Sequence, residues 1–153
     1  MNEVDRLTSE QFHLPSLLLM ENAGLGLHHV LGEYFADLGN MQIAIVCGKG
    51  NNGGDGLVLA RQLTQQNQSP LVYLLGQTGN LSGDAQINLD AYLKSGAEVV
   101  EVTNEQEWQK IIPDLTSCDI IVDALLGTGI SKPLQELYSR AVSTINSIDS
   151  FIL

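Results

Sequence analysis

The run Gly48-Lys49-Gly50-Asn51-Asn52-Gly53-Gly54-Asp55-Gly56 most constrains what this 153-residue chain can fold into. It follows an apolar, strand-like stretch, Gln42-Ile43-Ala44-Ile45-Val46-Cys47, and leads into a helix-like one, Leu57-Val58-Leu59-Ala60-Arg61-Gln62-Leu63. Strand, glycine turn and helix in that order are how open α/β folds offer backbone N–H groups and a positive helix end to a phosphate. Five glycines in nine residues allow the main chain to approach a ligand where a Cβ would clash. A bare turn needs glycines but has no use for two asparagines and an aspartate, so the run points to binding.

The rest of the chain repeats the alternation. A long amphipathic helix is expected over 15–38, interrupted by Gly24 and Gly26, and then a strand over 42–47. Helices are expected over 56–67, 82–95, 104–112 and 134–147, the third of these ended near Pro113. Strands are expected over 71–75, 98–102 and 119–123, and Ser150-Phe151-Ile152-Leu153 opens a fifth. Such alternation gives an α/β fold: a Rossmann-like, three-layer α/β/α sandwich around a parallel sheet whose last strand is incomplete. Right-handed crossovers order the strands 3-2-1, with the fourth beside the first. The loops after strands one and four then meet at the switch point, where such sheets bind ligands.

Composition narrows the partners. Hydrophobic content of 44% and charged content of 16% suit a globular domain. A net charge of −11 argues against nucleic acid. No apolar run is long enough to span a membrane, and no signal peptide opens the chain. Cys47 and Cys118 form no CxxC pair and lie in apolar runs, as buried thiols of a reducing compartment do. The expected location is the cytoplasm.

Gly48-x-Gly50-x-x-Gly53 matches the dinucleotide fingerprint in form. That fingerprint requires a carboxylate at the end of strand two, where this chain has Leu75-Gly76-Gln77-Thr78. A standard NAD dehydrogenase is disfavoured, and a P-loop fails for want of Gly-Lys-Ser/Thr. Asn51, Asn52, Asp55 and Asp123 cluster instead as oxygen donors at the C-terminal sheet edge, a set suited to a hard cation. His13, His28 and His29 form no catalytic grouping.

Three motifs together resemble the YjeF N-terminal domain family, the NAD(P)H-hydrate epimerases. They are Leu19-Met20-Glu21-Asn22-Ala23-Gly24, the glycine run 48–56, and Asp123-Ala124-Leu125-Leu126-Gly127-Thr128-Gly129. The resemblance implies an isomerase of nicotinamide cofactor repair, which interconverts the R and S epimers of NADH and NADPH hydrated at C6. It implies substrate contacts from Asn51, Asn52, Gly53, Gly54 and Asp55. A second substrate loop follows at Gly127, Thr128, Gly129, Ile130, Ser131, Lys132 and Pro133. Potassium is the implied cofactor, held by Asn52 and Asp123. Glu21 is expected to be structural.

In the family a fifth-strand Asp-x-Pro-Ser-Gly motif supplies a substrate-binding aspartate and a potassium-binding serine, and this chain stops before it. The expectation is one domain over 1–153, truncated within or before the fifth strand, with its acid–base residue unassigned and Asp55 and Asp123 as the carboxylates at hand. The resemblance further implies a functional link to an NAD(P)H-hydrate dehydratase, and the apolar first helix offers a homodimer surface. The alternative reading is a non-catalytic module of the same fold that binds a nucleotide-like ligand or a protein.

Overall fold

The computed structural model describes residue 11 and residues 13–127 and 136–153. Five parallel strands form one sheet: β1 Ile43–Cys47, β2 Leu71–Leu74, β3 Val100–Glu101, β4 Ile120–Ala124 and β5 Phe151–Ile152. Their order is β3-β2-β1-β4-β5, as the crossover rule requires for the first four. β1 is central, pairing through Ile45↔Val72 on one side and Ile45↔Val122 on the other. All five of its side chains are buried, because helices cover both faces of the sheet.

Among the described residues five helices make the outer layers: α1 Ser16–Tyr34, α2 Asn51–Gln65, α3 Gly83–Lys94, α4 Glu105–Ser117 and α5 Glu136–Ile145. Alternation along the strands divides the core. Ile43, Ile45, Cys47, Val72, Leu74, Ile120 and Val122 pack with Leu31 of α1, Leu57 and Leu63 of α2, and Leu89 of α3. Ala44, Val46, Tyr73 and Ile121 point the other way, onto Trp108, Ile111 and Leu115 of α4 and Ala141 and Ile145 of α5. Among the described residues no helix is long and apolar enough to cross a membrane.

Three local expectations are corrected. The helix after the glycine run begins at Asn51 rather than near residue 56, so most of that run is itself helical. Burial decides this, since Gly53, Gly54 and Gly56 are sealed against neighbouring elements and packing overrides weak helix propensity. The helix expected to end near Pro113 continues to Ser117. Ile111 and Leu115 are anchored in the core on either side of the exposed proline, and Asn104 caps the start by accepting the Glu107 N–H at 3.0 Å. The first helix stops at Tyr34, and Leu38–Asn40 form a separate 3₁₀ turn.

Of the two glycines expected to weaken α1, Gly24 is a contact point. A Cβ there would lie 2.5 Å from Cβ of Val58 and 3.1 Å from the Asp55 carbonyl oxygen, so glycine lets α1 and α2 touch. Gly26 has open space beside it. Cys47 and Cys118 are free and buried as expected, and burial pushes the Cys47 thiol up to about 12.

Candidate functional site

The candidate site lies at the C-terminal edge of the sheet, between the ends of β1 and β4. Gly48 leaves β1 and donates its N–H to the Ala124 carbonyl at 2.9 Å, which binds the two loops at their roots. Gly50 is the N-cap of α2 and provides no capping side chain. The first intrahelical bond runs from Gly54 N–H to the Gly50 carbonyl, 3.1 Å. The N–H groups of Asn51, Asn52 and Gly53 precede it and have no acceptor within the helix. With no acidic residue in the first turn, this is a helix end suited to an anion.

The glycines of the run divide into two kinds. A Cβ on Gly48 would strike the Leu125 carbonyl oxygen, and one on Gly53 would strike the Gly48 carbonyl oxygen. A Cβ on Gly54 would meet Met20 Sδ at 2.6 Å, and one on Gly56 would meet Ala124 Cβ at 2.8 Å. These four serve protein packing and hold α2 hard against β1, β4 and α1. Gly50 alone of the five has nothing within 4 Å of a built Cβ. Of the five glycines, only Gly50 has open space where a side chain would stand.

Asn52 and Gly127 are brought together, since a Cβ on Gly127 would lie 3.6 Å from Asn52 Cβ. The Asn52 side-chain N–H donates to the Leu126 carbonyl at 3.3 Å, which leaves its Oδ1 without a partner among the described residues. Asp123, half-buried on β4 beside Val46, accepts the Leu125 N–H at 3.0 Å through one oxygen. Its backbone N–H joins the Leu153 carbonyl of β5's end at 2.8 Å. Asn52 and Asp123 thus grip neighbouring peptide units of one loop, each with a side-chain oxygen to offer a cation. Asp55 sits half-buried one turn into α2. Thr128, Gly129, Ile130, Ser131, Lys132 and Pro133 lie outside the described residues. Among the described residues no three His, Cys, Asp or Glu side chains converge on one point. The donors here are one carboxylate with amide and carbonyl oxygens, the chemistry of a hard, weakly held cation.

Glu21 is placed away from this edge. Its carboxylate pairs with Arg61 and accepts from Gln62 at 3.0 Å, both on α2. It braces α1 against α2. Two features have no mark in the sequence. The loop after β2 does meet a carboxylate, but from the neighbouring strand. Glu101 Oε1 accepts from Thr78 N–H at 2.7 Å and from its hydroxyl at 2.6 Å, and these bonds hold Glu101 below the usual carboxylate range. The second is Tyr138 of α5, which donates its hydroxyl to the Leu75 carbonyl at 3.0 Å. A cavity of about 370 Å³ lined by Thr64, Gln68, Tyr92 and Glu98 lies at the opposite, N-terminal edge of β2 and is separate from this site.

The family described as YjeF-related protein N-terminus matches residues 16–153. Over 147 residues and 95% of its length, the chain is 39% identical to a bifunctional NAD(P)H-hydrate repair enzyme of Moorella thermoacetica, of which it spans 28%. It is 38% identical to an NAD(P)H-hydrate epimerase of Rhodopirellula baltica, with 96% of this chain and 57% of that protein aligned. Among solved structures, yeast ynu0 (YNL200c) has the same fold, with a TM-score of 0.77 at 24% identity over 96% of this chain and 63% of that one. The chain spans little more than half the length of that epimerase and about a quarter of the bifunctional enzyme. From a match that runs through both loops and all five strands, this chain is a member of the YjeF-related N-terminal family.

Proposed function

We propose that this domain is an NAD(P)H-hydrate epimerase, an isomerase that interconverts the R and S forms of NADH and NADPH hydrated at C6 of the nicotinamide ring. The observation that carries the proposal is the junction of the two loops, with Asn52 bonded to Leu126 and packed beside Gly127 at the open end of α2. Relatives named as NAD(P)H-hydrate epimerases at 33–38% identity support it.

The reacting carbon bears both a hydroxyl and the ring nitrogen. Protonated, the hydroxyl leaves as water, and the nitrogen lone pair stabilises the planar cation. Water adding to the opposite face and losing its proton inverts the centre, so the proton is recovered. The protein must hold the pyrophosphate, orient the ring and carry one proton. On this proposal the N–H groups of Asn51, Asn52 and Gly53 hold the pyrophosphate. Gly54 and the loop from Gly127 to Pro133 shape the site, and Asp55 or Asp123 is the carboxyl available to the proton. Asn52 and Asp123 are the residues that would hold potassium, which would supply fixed positive charge to the site.

A downstream NAD(P)H-hydrate dehydratase is the natural consumer of one epimer, a link supported by the alignment with a bifunctional repair enzyme. Leu18 and Leu25, 44% and 41% exposed and seven residues apart on α1, support self-association through that helix. Two free buried thiols suit the reducing cytoplasm.

The test is NMR exchange between the C6 epimers of hydrated NADH, with potassium and this chain, against the spontaneous rate. Exchange well above background is expected. Exchange at background would overturn the proposal.

A further inference from the structure

We propose that Tyr138 is a positioning residue for the turn that presents the α2 N–H groups, an inference that rests on the reading of that turn as the substrate's anchor. Tyr138 stands in the first turn of α5, immediately after residues 128–135. Its hydroxyl reaches across the top of the sheet to donate to the Leu75 carbonyl at 3.0 Å. Leu75 in turn donates its N–H to the Cys47 carbonyl, the last residue of β1, at 2.9 Å. Burial raises that hydroxyl's pKa, so the group stays neutral and able to donate.

The Lys49 side chain runs over Gly76, where a Cβ would lie 2.7 Å from Lys49 Cδ. Gly76 has φ +147°, which a side chain would strain. One hydroxyl therefore ties the start of α5 to the end of β2, whose Leu75 is bonded to Cys47 and whose next residue, Gly76, carries the Lys49 side chain beside Gly50. Gly50 is the N-cap whose placement aims the amides of Asn51, Asn52 and Gly53. The turn has no capping side chain of its own, so a tether from the opposite layer takes that place.

Tyr138→Phe keeps the ring and removes only the tether. Tyr73→Phe is the control, because it loses a phenol hydrogen bond of 3.1 Å to Asp114 of α4. Both variants and the parent are compared for affinity toward ADP by calorimetry, and for KM and kcat in epimer exchange. Amide NMR shifts of Lys49, Gly50 and Asn51, and Tm, complete the comparison. Tyr138→Phe is expected to weaken ADP and raise KM by about five- to tenfold, with kcat within about twofold. It should shift those three amides and lower Tm no more than the control does. Affinity and KM equal to the parent's, or equal losses in both variants, would overturn the assignment while leaving the epimerase proposal standing. A parent chain that neither binds ADP nor speeds exchange would remove both.

Discussion

Glu21 on α1 and Arg61 on α2 form an ion pair across forty residues of sequence, with side chains only 30% and 19% exposed. Gln62 donates to the other carboxylate oxygen at 3.0 Å, so both oxygens of Glu21 are engaged by one helix. This is a brace between two helices that also meet at Gly24 and Val58. Glu21→Ala should cost about 2 kcal/mol of folding stability in urea denaturation, as loss of a charge-assisted, partly buried bond does. ADP affinity of the folded fraction should be unchanged. A variant as stable as the parent but unable to bind would place Glu21 in the site instead.

The two kinds of glycine in the run should separate cleanly on substitution. Gly53→Ala forces a methyl group onto the Gly48 carbonyl oxygen, where both atoms belong to backbone and neither can turn aside. Its expected cost is about 3 kcal/mol or more. Gly50→Ala meets nothing within 4 Å at a φ of −94°, open to any residue. It should cost less than about 1 kcal/mol, the difference between glycine and alanine at an N-cap. Thermal denaturation of the two variants measures the contrast, and equal losses would contradict the packing account.

The order of the strands was legible because four β-branched or leucine-rich runs alternate with helical spacing, and crossovers have one hand. The meeting of the loops after β1 and β4 followed from that order alone. The inner logic of the glycine run was not legible, because a glycine that admits a ligand and a glycine that admits another backbone leave the same letter. β3, expected over 98–102, is reduced to Val100 and Glu101, with the Val102 N–H still bonded to the Leu74 carbonyl at 2.8 Å, since it is an edge strand beside a cavity. Tyr138 was invisible for a different reason. Its partner Leu75 lies 63 residues away, and one tyrosine at the start of an amphipathic helix carries no pattern.

Acid should weaken the capped start of α4. Glu107 Oε2 accepts from Thr103 N–H at 2.7 Å and from its hydroxyl at 2.8 Å, which holds the carboxyl below its ordinary value of 4.5. A carboxylate depressed in the folded state contributes stability that is fully present above the unfolded value. That contribution is lost as pH falls through the folded one. The urea midpoint should therefore decline below about pH 4.5, and Glu107→Gln should make the decline shallower. An unchanged slope in that variant would mean that other carboxylates govern the acid limb.

The amide of Asn52 should matter at both of its ends. Its N–H holds the Leu126 carbonyl at 3.3 Å, and its oxygen is the group proposed for the cation together with Asp123. Asn52→Leu removes both. It should release residues 125–127 from α2 and abolish any potassium-dependent gain in Tm from ADP. Asn52→Asp keeps an oxygen and loses the donor, so two carboxylates would face one loop. That variant should retain a cation response while binding the anionic ligand more weakly, by about tenfold for one lost bond next to an added negative charge. Asp123→Asn keeps an oxygen but removes the charge, and so should weaken the cation more than the ligand. Titration of all three variants with ADP at fixed ionic strength, with potassium exchanged for a bulky organic cation, separates these outcomes. A parent-like potassium response in Asn52→Leu would remove Asn52 from the cation site and leave its bond to Leu126 as its whole role.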